Sequence, residues 1–267
     1  MKILVILGWV AAAALVRERP AAAAERHFGS SFESSVMKPG VAELQPWTTV
    51  RAGRADYFSR LDARLGFQFG IAGQLQAALF WNAYQHTEDI HVSGATEKSR
   101  LSTTQFESLT AQLKLRFSDA VTDTVGSALL VDGIFGPQLV GYEARLIVDR
   151  QFGSWLVAGN LVGGTLTQLD LRSSTAGSFG ATLAAGYFLS PSFALGLEAR
   201  NENGFTGRFD HSVTYAGPAL SFASDRYWLL LAADAQLPAF KGASAGHWLD
   251  LHENEYLQAR FVLGFRL

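Results

Sequence analysis

The chain closes on NEYLQARFVLGFRL, residues Asn254–Leu267, and this stretch alternates strictly in character. Leu257, Ala259, Phe261, Leu263, Phe265 and Leu267 share one parity, and Tyr256, Gln258, Arg260, Val262, Gly264 and Arg266 share the other. A strand sends successive side chains to opposite faces, so this is a strand with one apolar and one mostly polar face. It runs to the last residue. An uncovered edge strand invites aggregation in a soluble sandwich, whereas in a closed barrel the last strand pairs with the first and no edge remains.

The same alternation recurs upstream. Tyr57, Leu61, Ala63, Leu65, Phe67 and Phe69 oppose Arg60, Asp62, Arg64 and Gln68. Leu109, Ala111, Leu113, Leu115 and Phe117 oppose Gln112, Lys114 and Arg116; Val140, Tyr142, Ala144, Leu146 and Val148 oppose Glu143, Arg145 and Asp149. Further copies fall at 179–187 and 193–199, and weaker ones near 41–51, 74–84, 125–133, 155–165, 213–223 and 228–237. With the closing strand these make about twelve, the even number that bacterial single-chain barrels use. The expectation is an all-β fold, a single antiparallel up-and-down transmembrane barrel over residues 41–267.

Connections alternate too. Short ones fall at Gly70–Gly73, Ser118–Thr124, Arg150–Ser154, Ser190–Ser192 and Ser224–Tyr227. Longer polar ones fall at Gln85–Thr104, Thr165–Ala176, Asn203–Ser212 and Pro238–Glu253. Short turns inside and long loops outside is the outer-membrane pattern, and it puts both termini in the periplasm. On the apolar parity, Phe67, Phe69, Phe117, Trp155, Tyr187, Phe193 and Phe265 sort to the short-turn end, and Tyr57, Trp81, Tyr142 and Tyr215 to the long-loop end. Tyr57 to Phe67 is roughly 33 Å of strand, which tilted by about 40° spans about 25 Å, the height of the apolar band between two aromatic girdles.

Composition agrees. Charged residues make up 17%, against 26 Gly, 19 Phe, 7 Tyr and 6 Trp, which suits an outer surface that meets lipid. There is no cysteine, hence no disulfide, thiolate site or cysteine nucleophile. A net charge of -2 argues against a nucleic-acid binder. Lys2, the apolar run Ile3 to Val16 and Ala22-Ala23-Ala24 have the three parts of a secretory signal peptide, cleaved after about residue 24. The charged Arg17-Glu18-Arg19-Pro20 insert leaves the cut site open, and the apolar run is shorter than the roughly 18 residues a retained helical anchor needs. Residues 25–40, Ser-rich with Phe28 and Phe32, are assigned as a periplasmic N-terminal segment, with entry into the lumen as the other course open to it.

The stretch AELQPWTTVRAGRADYFSRLDARLGFQFGIAGQLQAALFWNAY, then YAGPALSFASDRYWLLLAADAQL and the closing strand, resemble a group of little-characterised Gram-negative outer-membrane barrels. That group includes channel proteins linked to phenol and aromatic degradation. The resemblance covers most of residues 42–267 and rests on soft patterns of strand, turn and Gly-Pro. It implies the barrel fold and passage of a small solute, hydrophobic or aromatic. Such barrels usually end in Phe; Leu267 keeps the hydrophobic parity and weakens the expected assembly signal.

The inward parity carries Arg60, Asp62, Arg64, Lys114, Arg116, Glu143, Arg145, Asp149, Glu198, Arg200, Glu202, Asp234 and Arg260. An Arg on the lipid face at the midplane costs roughly 2–4 kcal/mol, which is why these residues are placed inside. Two roles compete for them: a satisfied salt-bridge network filling a narrow lumen, and a charged selectivity constriction. Three runs are compact: Arg60-Asp62-Arg64, Glu143-Arg145-Asp149 and Glu198-Arg200-Glu202. Twelve strands lie between a side-chain-filled barrel and an open pore.

Other chemistry is thin. An outer-membrane lipase needs Ser and His on one face, and the one His–Ser neighbour, His211-Ser212, points to opposite faces. No Gly-x-Ser-x-Gly elbow is present. His86, His91, His211, His247 and His252 fall in the expected long loops beside carboxylates; His86, His91, His247 and His252 are weak metal candidates whose spacing matches no established motif. No phosphate loop or nucleotide fingerprint is visible, and no cofactor is expected. The expected partners are outer-membrane lipid, the barrel-assembly machinery and a small solute. The rival of a channel is a non-transporting structural barrel that acts through its extracellular loops.

Overall fold

The computed structural model describes residues 26–91, 98–169, 174–244 and 248–267. The signal-peptide assignment for residues 1–24 lies outside them. Twelve antiparallel strands close on themselves in chain order: β1 (Ala42–Ala52), β2 (Phe58–Ala72), β3 (Leu75–His91), β4 (Lys98–Ser118), β5 (Gly126–Phe135), β6 (Leu139–Phe152), β7 (Trp155–Gln168), β8 (Thr175–Ser190), β9 (Phe193–Phe205), β10 (Phe209–Ala223), β11 (Tyr227–Gln236) and β12 (Leu257–Arg266). The terminal stretch does what its alternation demands. β12 pairs with β11 on one side and with β1 on the other, Trp47 opposite Val262 and Val50 opposite Ala259.

Burial is inverted relative to a water-soluble protein. Leu61, Leu65, Leu79, Leu113, Leu146, Leu161, Leu183 and Leu197 are exposed on the outside, while Glu43, Gln45, Gln68, Gln112 and Asp149 are buried. A soluble monomer rarely exposes a contiguous apolar patch beyond a few hundred Å². Here the apolar surface rings the barrel, the outside that a hydrocarbon solvent favours. Trp155 and Tyr187 sit opposite each other across β7 and β8 near the short-turn end, ring centroids 5.0 Å apart.

Three details differ from the sequence reading. Gln85–Thr104, expected as a loop, is largely strand: the β3–β4 ladder continues through Gln85 opposite Thr104 and Glu88 opposite Leu101. Cross-strand backbone bonds do not need an apolar face, so a polar hairpin can outrun the alternation that sequence reading follows. Asn203–Ser212 is likewise a tight turn, Gly207 taking φ +82° between β9 and β10, a left-handed conformation glycine adopts without strain. Tyr215, expected on the lipid face, points inward and is fully buried beneath the Arg200 guanidinium, 4.4 Å from its ring centroid.

The N-terminal segment lies in the lumen, the second of the two courses open to it. From Arg26 it climbs to an apex at Gly29–Phe32 and descends to Pro39, which bridges to Gly70 at the short-turn end before β1 begins. Phe28 is the reason it stays. Its fully buried ring joins Leu156, Ala158, Ala184, Trp228, Leu230 and Val262, apolar residues that face inward on β7, β8, β11 and β12. Gly186 and Gly196 leave the space it fills; a Cβ on Gly196 would stand 2.8 Å from the ring. Burying such a ring contributes about 1.5–3 kcal/mol.

Candidate functional site

The apex of this plug is held by side chains from the barrel wall. Glu198 on β9 accepts three successive backbone N–H groups: Gly29 N to Oε1 at 2.8 Å, then Ser30 N at 2.8 Å and Ser31 N at 3.2 Å to Oε2. Such a run of N–H groups forms an anion-binding nest, and here the anion belongs to the wall. Gly29 is needed at this turn because a Cβ would stand 2.6 Å from Glu198 Oε1 and 2.7 Å from Ala232 Cβ. Arg145 donates to Ser30 O at 2.7 Å, Arg200 to Ser30 Oγ at 2.9 Å, and Arg260 to Gly29 O. Asn160 clasps Phe32 from both sides, accepting from its N–H at 2.7 Å and donating to its carbonyl at 2.9 Å. On the descending arm Asp149 accepts Ser34 N at 2.9 Å, Lys114 donates to Ser35 O, and Gln76 accepts Met37 N at 2.9 Å.

The plug is also pinched at its own base. Glu33 Oε1 accepts His27 N at 2.9 Å and lies 3.3 Å from the His27 imidazole. Burial works to raise the Glu33 carboxyl, but the hydrogen bond from His27 and the charges of His27 and Arg26 outweigh it and hold the group below its ordinary value. Arg26 is packed between the Phe32 and Trp47 rings, 3.9 Å and 4.5 Å from their centroids. Burial pushes its guanidinium down to about 9, against the opposing pull of Glu33.

Above the apex the lumen opens. Ser30, Phe32, Trp47 and Arg260 form the floor of a cavity of about 1270 Å³ whose walls rise to Arg208, Lys241 and Glu253 near the long-loop end. Two spaces beside the plug are about 20 Å³ and about 10 Å³, each with room for a single water at most. The lumen is therefore a vestibule on a plugged base.

Eleven of the thirteen residues singled out from sequence divide among three tasks, and Arg116 and Arg64 stand outside them. Lys114, Arg145, Asp149, Glu198, Arg200 and Arg260 grip the plug. Arg60 and Asp62 form a wall cluster, 2.6 Å apart, with Arg51 2.7 Å from Asp62 and Glu107 2.8 Å from Arg60. Glu143 pairs with Arg145 at 3.1 Å, while Glu202 and Asp234 pair with Arg200 at 3.1 Å and 3.6 Å. Each of the three compact runs closes at one pair only, Arg60–Asp62, Glu143–Arg145 and Arg200–Glu202; Asp149 Oδ2 and both Glu198 oxygens accept plug N–H groups instead of meeting the arginines beside them. Arg116 sits at the short-turn rim, 2.6 Å from Asp119 and 2.9 Å from Gly73 O. Arg64 stands apart, and its Nε and Nη2 find no hydrogen-bond partner among the described residues.

Sequence reading missed Arg51, Asp132 and Asn160, which lie on the weakly alternating strands, and the floor aromatic Trp47. Their parity was available, since each is an even number of residues from an inward neighbour. His86 lies on β3 rather than in a loop, its ring stacked on Tyr84. His252 lines the vestibule. His247 and the side chain of His91 lie outside the described residues. Among the described residues no group of three or more His, Asp or Glu side chains is placed to hold a metal. His211 lines the vestibule, whereas Ser212 bridges to Lys241 and its Oγ accepts from Asn201 at 3.3 Å.

No protein-family model and no curated protein matches the chain. Solved structures do. An outer membrane channel from Pseudomonas putida F1 superposes with a TM-score of 0.58 at 12% identity, over 91% of this chain and 100% of that one. The NanC porin gives 0.56 at 10% identity over 84% of this chain and 100% of its own, and the KdgM porin 0.51 at 7% over 84% and 98%. At these identities the likeness is one of fold.

Proposed function

We propose that the protein is an outer-membrane channel for a small solute, closed at rest by its own N-terminal segment. The carrying observation is the join between vestibule and plug. A water-wide cavity ends on a segment held by hydrogen bonds and the packing of Phe28 and Phe32, with no strand pairing along residues 28–36 to fix it. A wall that existed only to be rigid would be filled by its own side chains. The lipid-compatible exterior and the likeness to channel and porin barrels support the membrane setting, with outer-membrane lipid and the assembly machinery as partners. In this reading the short-turn end is periplasmic, and with it the C-terminus and the start of β1, whose Ala42 O accepts from Leu267 N. Ile134, Val162 and Leu166 line one wall of the vestibule and suit a solute with a hydrophobic or aromatic part.

The sealed base favours a second reading, a structural barrel acting through its loops; Phe240 and Trp248, each 80% exposed in the β11–β12 connection, would serve it. Single-channel recording separates the two. The channel reading expects rare or no openings in the intact protein and steady conductance when residues 28–36 are deleted. A plug-deleted barrel that assembles yet stays closed would leave the structural reading standing.

A further inference from the structure

Among the described residues, Arg64 is the one vestibule arginine that neither grips the plug nor meets a carboxylate. It projects from β2 between Trp47 and Asn82, its guanidinium 3.7 Å from the Phe80 ring centroid and 5.0 Å from that of Trp47. Nε and Nη2 are buried without a partner among the described residues, and a donor left unsatisfied in this way favours any ligand that can accept from it. Two nearby wall carboxylates are already taken: Asp132 by Gln112 Nε2 at 2.9 Å, and Glu143 by Arg145 at 3.1 Å. Across the lumen the wall changes character. The barrel order sets β1 and β2 opposite β7 and β8, where Val162, Leu166 and Ala176 line the cavity. Gly141 keeps the space beside Leu166 clear, since a Cβ there would press on the Thr165 carbonyl oxygen and stand 2.9 Å from Leu166 Cδ1.

We propose that the vestibule floor is a binding site for a small amphipathic monocarboxylate, its carboxylate on Arg64 and its apolar body against the β7–β8 wall. The planar guanidinium offers paired donors that match a carboxylate. The aromatic faces on which it lies keep its orientation fixed before the ligand arrives. Asp132 and Glu143 beside it disfavour a second negative charge, which selects a monoanion over a dianion. This site rests on the channel reading for its biological sense, since it would sit on the solute's route, but its binding is measured without any conductance.

Hexanoate, its neutral isostere hexanamide and the shorter acetate are titrated calorimetrically into the detergent-solubilised full chain, with detergent-only titrations subtracted. Hexanoate is expected to bind about tenfold or more tighter than either analogue. Arg64→Gln should bring acid and amide together, and Leu166→Asn should shrink the advantage of hexanoate over acetate while leaving the preference for acid over amide. Equal binding of hexanoate and hexanamide, no saturable heat from hexanoate, or an Arg64→Gln protein that keeps the acid preference would each overturn the site. If Arg64→Gln does not assemble, the wild-type ligand series and Leu166→Asn decide it. Hexanoate binding in a barrel that never conducts after plug deletion would sink the channel and leave the site, and conductance without hexanoate binding would do the reverse.

Discussion

At the scale of single residues, the vestibule floor is governed by who satisfies whom. Glu198 carries three plug N–H groups on two oxygens, so Glu198→Ala strands three buried donors while removing no strand contact. At about 1–3 kcal/mol per unsatisfied group, the apex should detach while the barrel stays assembled. Hydrogen exchange should report lost protection at Gly29–Ser31 with the β9 and β10 ladder unchanged; an apex that keeps wild-type protection would show the nest to be incidental. Glu33 gives the plug a pH dependence whose sign follows from its depressed carboxyl. A group held below its unfolded value contributes stability above that value, ordinarily about 4.3 for Glu, and loses it as pH falls through the depressed one. Protection of His27–Glu33 should therefore be flat from neutral pH down to about 5 and fall on further acidification. Glu33→Gln should remove that acid step; a step of the same size in the variant would assign it to another group.

At the scale of elements, strands and plug were legible to very different degrees. Each strand announces itself because one face meets lipid and the other does not, and that contrast writes a period of two into the chain. The alternation fails where the contrast does, in the polar β3–β4 extension and at Tyr215, whose ring is apolar enough to pass for the lipid face. The plug has no period at all. Its residues are chosen for fit to particular partners, Gly29 for clearance, Phe28 for a glycine-lined hollow, and most of its hydrogen bonds to the wall are made by backbone groups that every sequence shares. The charged inward residues were readable from parity, but that Glu198 serves Gly29, 169 residues away, was not. Treating the plug as one element yields a prediction about its anchor. Phe28→Ala should cost about 3–5 kcal/mol of docking, enough to favour the undocked state, so the frequency of channel openings should rise steeply. Gly29→Val should act the same way through its clash with Glu198 and Ala232. Silent recordings from both variants would mean that something other than this segment closes the lumen.

At the scale of the whole molecule, the question is which solvent the exterior was built for, and adjacent residues on β6 can answer it. Leu146 points outward between Leu129 and Leu161 on the neighbouring strands, while Ile147 points inward and is fully buried with Ala128, Leu130 and Phe32. In a barrel surrounded by water, Leu146→Arg would be a surface change worth no more than about 0.5 kcal/mol either way. In a barrel surrounded by hydrocarbon, the same change near the middle of the belt puts a charge into lipid and costs roughly 2–4 kcal/mol. Reversible urea titration of the protein folded into phosphatidylcholine vesicles measures the difference directly. The membrane reading expects the full loss for Leu146→Arg and a much smaller one for a charge placed at Val121, 69% exposed in the β4–β5 turn and clear of the strands. Equal, small losses at both positions would return the barrel to water and take the channel reading with it.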